Sequence, residues 1–229
     1  MKKKDEVNWV SFTDLMTGLM VIFMFIAVNY IVQFIEYKFV EEDIYNSLKD
    51  EFSKEISEDE ISLSPDGTIT FNPPEQNLFA LSSAELSSSF QASLNDFIPR
   101  YLEQITSDGK IDKIKEIRIE GHTDAIPPKA NVDSYEYNLW LSSNRAQNVL
   151  KHIRSHPSYQ SLSDDVKSKL EFLFTANGLS YSRALNENGN IAYLDSIKTI
   201  DNKLSRRVEF RVVTSNESLI ESMYNSDKQ

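Results

Sequence analysis

The chain has 229 residues, no cysteine and a formal net charge of -11. That length suits one membrane anchor and one domain of ordinary size, and the lack of cysteine excludes disulfides, zinc–thiolate centres and thiol nucleophiles. The first fourteen residues balance three lysines against Asp5, Glu6 and Asp14, so the whole negative charge falls beyond them; nucleic acid, which needs clustered positive charge, is an unsuitable partner.

From Leu15 to Ile35 there are twenty-one residues without a formal charge, and the apolar character already begins at Trp9. At ~1.5 Å rise per residue such a run matches the ~30 Å hydrocarbon layer of a bilayer. Residues 9–35 are therefore expected to form a single transmembrane helix. A cleaved signal peptide is the competing reading, but the run is too long and no A-x-A-like site follows it. Lys2, Lys3 and Lys4 precede the span, whereas EYKFVEED after it is mostly acidic. The positive-inside rule then places residues 1–8 in the cytoplasm and the bulk of the chain outside it.

Asp14 stands at the start of this run, in WVSFTDLMTG. With Trp9 at the membrane interface, Asp14 lies more than one helical turn inside, where a carboxylate costs about 2.5 kcal/mol or more to insert. We read it as a buried, titrating acid, because intramembrane ionisable groups are functional by default. The bland alternative makes it a helix cap, with residues 9–13 along the membrane surface; against that, the apolar pattern begins before Asp14. Thr13, Thr17 and Gly18 lie beside it, and small or hydroxylated residues let a second helix approach and hydrogen-bond. Were such an acid to carry an ion, a lone carboxyl would suit a proton, while Thr13, Thr17 and partner hydroxyls keep Na⁺ open.

Residues 36–60 carry Phe39, Ile44, Leu48, Phe52 and Ile56 near helical spacing among many charges. They are expected to be a helical linker or plug, whose apolar stripe could pair with a second copy; a solvated connector is the alternative. A domain from 61 to 213 follows. Thr68–Asn72 reads as a strand ended by Pro73 and Pro74. The run LSSAELSSSFQASLNDFIPRYLEQI has a serine cap and helical spacing, with Pro99 as a kink or break. IKEIRIEGH alternates as a strand, DAIPPKANVDSYEY is a loop, and NLWLSSNRAQNVLKHIRS is a helix. SLSDDVKSK suggests a short helix, LEFLFTANG and SRRVEFRVV two further strands, and residues 214–229 a loose tail. Alternating strands and helices imply helices laid on a sheet.

Three stretches in order, GHTD at 121–124, NLWLSSNRA at 138–146 and NKLSRRVEF at 202–210, resemble the peptidoglycan-binding OmpA-like domain. That domain tethered to one span with an Asp near its cytoplasmic end is similar to the B subunit of flagellar stators, the MotB-like proteins. The segment VSFTDLMTGLMVIFMF departs from the usual flagellar A-Y-A-D-F-M-T-A-M-M and is more similar to the MotB-like subunit of the Zorya anti-phage defence system. The flagellar stator is the alternative, and a passive membrane-to-wall tether a further one.

The resemblance implies an α+β fold, an OmpA-like sandwich with helices packed on a mixed sheet, preceded by one transmembrane helix. It implies a homodimer in the bacterial inner membrane, inside a pentameric ring of a MotA-like polytopic subunit, with the C-terminal domain periplasmic. It also implies a ligand, the zwitterionic diaminopimelate side chain of peptidoglycan, taken by Asp124 and Arg145. Arg can grip a carboxylate through two parallel hydrogen bonds, which Lys cannot. Asn138 and Leu141 match positions that shape the loop and seat the helix, and one of Arg206 and Arg207 is expected to brace the site. The longer loop with Ile126, Pro127 and Pro128 departs from the family pattern. Outside that context, Asp124 and Arg145 would read as a turn residue and a weak surface ion pair.

His152 and His156 share a helix face, but no H-E-x-x-H is present and Pro157 follows at once. His122, inside GHTD, is most simply a structural hydrogen-bonding residue. No metal site, cofactor or enzymatic activity is expected.

Overall fold

The computed structural model describes residues 9–72, 78–80, 83–126 and 132–214, with side chains described from residue 12 to 32 and from residue 40 onward within those ranges. The expected cytoplasmic start at 1–8, the tail after residue 214 and Pro73, Pro74, Pro127 and Pro128 lie outside them. The chain divides into two units, Met1–Phe39 and Val40–Gln229.

Helix α1 (Trp9–Glu51) carries the apolar run. From Phe12 to Val32 its side chains are all exposed, and by length and composition this stretch can cross a membrane. Asp14 is the sixth residue of α1, so the helix has already run more than one turn and Asp14 does not cap it. Thr17 Oγ1 donates to the Thr13 carbonyl at 2.8 Å, a bond that turns the hydroxyl back onto its own helix. A side chain at Gly18 would meet nothing within 4 Å, so that face of the helix is open.

The second unit is built on a five-stranded mixed sheet in the order β1-β2-β5-β3-β4. Its strands are β1 (Ile61–Leu63), β2 (Ile69–Phe71), β3 (Ile114–Gly121), β4 (Phe174–Gly178) and β5 (Val208–Thr214). Only β3 and β4 run parallel, and the other pairings are antiparallel. A parallel pair needs a long crossover, and here it consists of α4 (Ser134–Ser155), α5 (Pro157–Gln160) and α6 (Asp164–Leu173). The remaining elements are α2 (Ser53–Ser57), α3 (Ser88–Thr106), a 3₁₀ segment (Ser107–Lys113) and α7 (Asn202–Ser205).

Strand alternation divides the sheet chemically. Ile117 and Ile119 of β3 and Val208, Phe210 and Val212 of β5 join the hydrophobic core with Leu94, Phe97, Tyr101 and Ile105 of α3 and Val149 and Ile153 of α4. Arg118 and Glu120, cross-strand partners of Arg211 and Glu209, fall on the other face.

Most expected elements appear with shifted ends. β1 is unanticipated, since three residues carry too little periodicity to register. The helix expected within LSSAELSSSFQASLNDFIPRYLEQI begins only at Ser88: Ser87 Oγ caps it by accepting from Phe90 N at 3.1 Å, while Leu86 pairs with Phe79. The helix runs on through Pro99. In LEFLFTANG the first residues close α6, and only Phe174–Gly178 is strand.

The segment expected as a linker shows a difference of environment. Ile44, Leu48 and Phe52 are 3%, 0% and 0% exposed and belong to the core of the second unit. These three residues of the stripe are therefore buried in their own domain rather than presented to a second copy. Ile56 is partly buried against the same core, and the Phe39 side chain lies outside the described residues. Arg100 of α3 fastens this end of α1: its Nε donates to Glu51 Oε1 at 2.6 Å, its Nη1 to Glu55 Oε1 at 2.6 Å, and its guanidinium lies 4.6 Å over the Phe52 ring. Lys110, 7% exposed, donates to Ser47 Oγ at 2.7 Å. Leu48→Ala should consequently cost the domain about 2–5 kcal/mol in urea unfolding; a change below about 0.5 kcal/mol, as for a solvated linker, would contradict the packing.

Candidate functional site

The site forms where β3 and β4 end and β5 begins, beside α4. Gly121 closes β3, and a Cβ there would stand 2.3 Å from the Ser142 carbonyl oxygen of α4. Gly178 closes β4, and its Cβ would stand 2.3 Å from Ser143 N. Two residues without side chains thus let α4 press directly on the parallel strands.

Past these glycines the two strand ends are cross-linked. Leu179 N donates to Gly121 O, and Thr123 N to Ser180 O, each at 3.0 Å. Ser180 is fully buried at φ 51, its N donating to Ser142 Oγ at 3.0 Å and its Oγ to Tyr135 O at 3.1 Å. A non-glycine residue in the left-handed region persists only where its surroundings hold it, and here three hydrogen bonds, two to α4 and one to the end of β3, do so. From β5's side, His122 N donates to Arg207 O at 3.0 Å. The segment between β4 and β5 is itself organised by buried Asn186, whose Oδ1 accepts from Asn188 N and Asn190 N while its Nδ2 reaches Asp195 Oδ2.

Asp124 projects from this knot, 8% exposed. Its Oδ1 accepts from Ile126 N at 3.1 Å, an Asx turn that starts the following loop, and its Oδ2 accepts from Arg206 Nη1 at 2.8 Å. Asn138, 3% exposed, holds the other side of that loop, with Nδ2 donating to Ser134 Oγ at 3.3 Å and Ile126 O at 3.5 Å. α4 starts earlier than expected, at Ser134, because Asp133 caps it by accepting from Glu136 N at 2.9 Å. Leu141 is 5% exposed on the same helix.

Arg145 is 7% exposed. Its Nε donates to Ser83 O at 3.0 Å, and its guanidinium lies 4.7 Å over the Phe79 ring. Burial pushes Arg145 down to about 10; the Asp124 carboxylate opposes this, and the neighbouring Arg206 reinforces it. No direct Arg145–Asp124 ion pair within 4.0 Å is found among the described residues. Asp124 instead holds Arg206, with Arg145 adding a second positive charge to the same field. An exposed aromatic edge flanks the site, with Tyr135 and Tyr181 in edge contact at 5.4 Å.

The two arginines of β5's approach thus separate. Arg206 turns to Asp124, whereas Arg207, 6% exposed, donates from Nε to Glu209 Oε1 at 2.6 Å and from Nη2 to Arg183 O at 3.3 Å. The other two histidines are engaged elsewhere: His152 Nε2 meets Asn95 Oδ1 at 2.9 Å, and His156 Nδ1 accepts from Ser158 N at 3.2 Å. His122 is buried without a hydrogen-bond partner on either ring nitrogen. Burial holds its imidazole below the ordinary range, with Glu209 pulling the other way. Ser83, Phe79, Ser142 and Ser180 were not anticipated as parts of the site, since their roles arise only in the tertiary arrangement.

No protein-family model matches the chain. It is 34% identical over 94% of its length to the Zorya protein ZorB of Escherichia coli (Crooks strain), 92% of which is covered. The chain belongs to the ZorB family. A second ZorB, from an Escherichia coli O139:H28 strain, is 27% identical, with 80% of this chain and 77% of that protein aligned. The crystal structure of a MotB-like protein from Desulfovibrio vulgaris shares the fold of this ZorB-family chain, with a TM-score of 0.52 at 23% identity over 79% of this chain and 94% of that one.

The glycine contact yields a direct expectation. Gly121→Ala should lower stability by about 1–3 kcal/mol through overpacking against the Ser142 backbone, read as a fall in Tm; an unchanged Tm would mean that α4 is free to retreat.

Proposed function

We propose that this ZorB-family chain is an ion-driven motor subunit of the bacterial inner membrane, anchored to peptidoglycan and acting in anti-phage defence. The observation that carries the reading is the position of Asp14: it lies more than a turn inside α1, in a stretch whose side chains are exposed and apolar, and it is the only charged residue from Phe12 to Val32. A carboxyl left at that depth needs partner protein around it. Two copies inside a ring of a MotA-like polytopic subunit supply that surrounding, with residues 1–8 cytoplasmic, residues 9–35 spanning, and the folded domain periplasmic.

Asp14 alternates between neutral and charged forms as an access path opens, and each change alters how its helix packs against the ring. One charge crossing 100 mV releases ~2.3 kcal/mol, enough to bias a conformational step. The proton is the ion best suited to a lone carboxyl. Thr17 spends its hydroxyl proton on Thr13 O, so its oxygen remains an acceptor, as does the carboxylate.

Torque requires a fixed point. Asp124, with Arg145 and Arg206 beside it, offers one anionic and two cationic groups, the complement of an ammonium and a carboxylate on the diaminopimelate side chain. Binding requires the ligand's ammonium to share or replace Arg206 on Asp124 Oδ2, while its carboxylate takes up the guanidinium donors.

Asp14→Asn should abolish phage protection while the protein still reaches the membrane; retained protection would reduce the chain to a passive tether. In pull-downs on purified peptidoglycan, Asp124→Ala and Arg145→Ala should each weaken binding about tenfold or more, as expected for losing a charge-assisted hydrogen bond. Undiminished binding in both would remove the wall site from this position.

A further inference from the structure

On the polar face of the sheet, apart from Asp124 and Arg145, three side chains converge. Glu120 and His122 stand two residues apart at the end of β3, and Glu209 is the cross-strand partner of Glu120 on β5. His122 is 1% exposed and Glu120 3%. His122 Nε2 lies 3.4 Å from Glu209 Oε2 and 3.9 Å from Glu120 Oε2, and one ligating atom from each residue falls within 4.8 Å of the others.

These separations are long for N–H···O hydrogen bonds, which fall at about 2.7–3.2 Å. Both ring nitrogens of His122 and Glu120 Oε2 are buried without a hydrogen-bond partner, a condition native interiors rarely leave unexplained. The 3.4 Å between His122 Nε2 and Glu209 Oε2 suits two ligands of one ion, since bonds of about 2.0–2.2 Å at tetrahedral angles set ligand atoms roughly 3.4 Å apart; Glu120 Oε2, at 3.9 Å, closes in by a small side-chain adjustment.

Charge points the same way. Of the two carboxylates, Glu209 is bonded through Oε1 to Arg207 Nε at 2.6 Å, and Arg211 lies on the same face with Arg118 as its cross-strand partner. Arg118, further along the face, is paired with Glu116 at 2.8 Å. Among the described residues Glu120 makes no Arg or Lys ion pair within 4.0 Å, and a buried carboxylate without a close partner is costly. A proton on His122 would leave Nδ1–H without an acceptor and give Nε2–H only the long 3.4 Å contact to Glu209 Oε2.

We propose that Glu120, His122 and Glu209 bind a divalent transition-metal ion of the zinc class, tying the end of β3 to the start of β5. Imidazole with two carboxylate oxygens is a donor set that zinc accepts. Glu209 ligates through Oε2 and keeps Oε1 for Arg207. The ion's role is structural: His122 lies two residues before Asp124, and Arg206 lies on the approach to Glu209, so the ion sets the strand ends from which both project. The proposal does not depend on what Asp124 binds.

The test uses the full chain in detergent, stripped with EDTA and titrated with zinc chloride alone by isothermal titration calorimetry. Bound metal is counted by inductively coupled plasma mass spectrometry. One saturable site per chain and a Tm raised by zinc are expected. Glu120→Gln, which preserves shape, and His122→Ala should each weaken binding tenfold or more, with circular dichroism confirming that each variant is folded. The double variant His152→Ala, His156→Ala should keep the site. Absence of saturable uptake by folded wild-type protein overturns the proposal. So does undiminished binding by a folded Glu120→Gln variant, or loss of the site in the His152, His156 double variant.

Discussion

Direct backbone contact between α4 and the ends of two parallel strands is the constraint on which the site stands. Gly121 and Gly178 carry no Cβ, and the Ser142 and Ser143 backbone occupies the space one would need. That approach brings Ser142 Oγ to Ser180 N, and Ser180 in turn joins the β3 end through Thr123 N and the first turn of α4 through the Tyr135 carbonyl. Asp124 is thereby presented from a rigid corner rather than a free loop, and Arg145, one turn beyond Leu141 on α4, is held at a fixed distance from it.

Electrostatics does the rest. A guanidinium as buried as that of Arg145 is unfavourable alone, and the domain offsets this with an aromatic face, a carbonyl and a neighbouring carboxylate. Because its Nε is committed to Ser83 O, the orientation of its outer nitrogens is set before any ligand arrives. Such prior ordering reduces what must be organised on binding. Arg206, more exposed and paired with Asp124, is the solvent-facing counterpart in this arrangement.

The two ends of the chain present opposite physical situations. Along Phe12–Val32 the helix shows apolar side chains on every side, the pattern of an element that lipid or partner helices must cover. From Ile44 onward the same helix is sunk into a core and clamped by Arg100 and Lys110. The proposed motor role needs both: a helix free to repack around one acid, and a domain stiff enough to resist the resulting twist.

Much of this was legible in the residues themselves. The uncharged run and Asp14 within it are local patterns read by hydropathy, as are the alternation of IKEIRIEG and the motif order that resembles the OmpA-like domain. Ile44, Leu48 and Phe52 announced a helix with an apolar face, yet spacing alone says nothing of what that face meets; only the packing against α3 assigned it to the core. Likewise Asp124 and Arg145 were visible as motif positions, while the separation of Arg206 from Arg207 was decided by which neighbour each could reach. The pairing of Glu120 with Glu209 is a matter of strand register between distant segments. Local chemistry determines which elements form and where charge sits along the chain, but long-range register decides which of those charges meet.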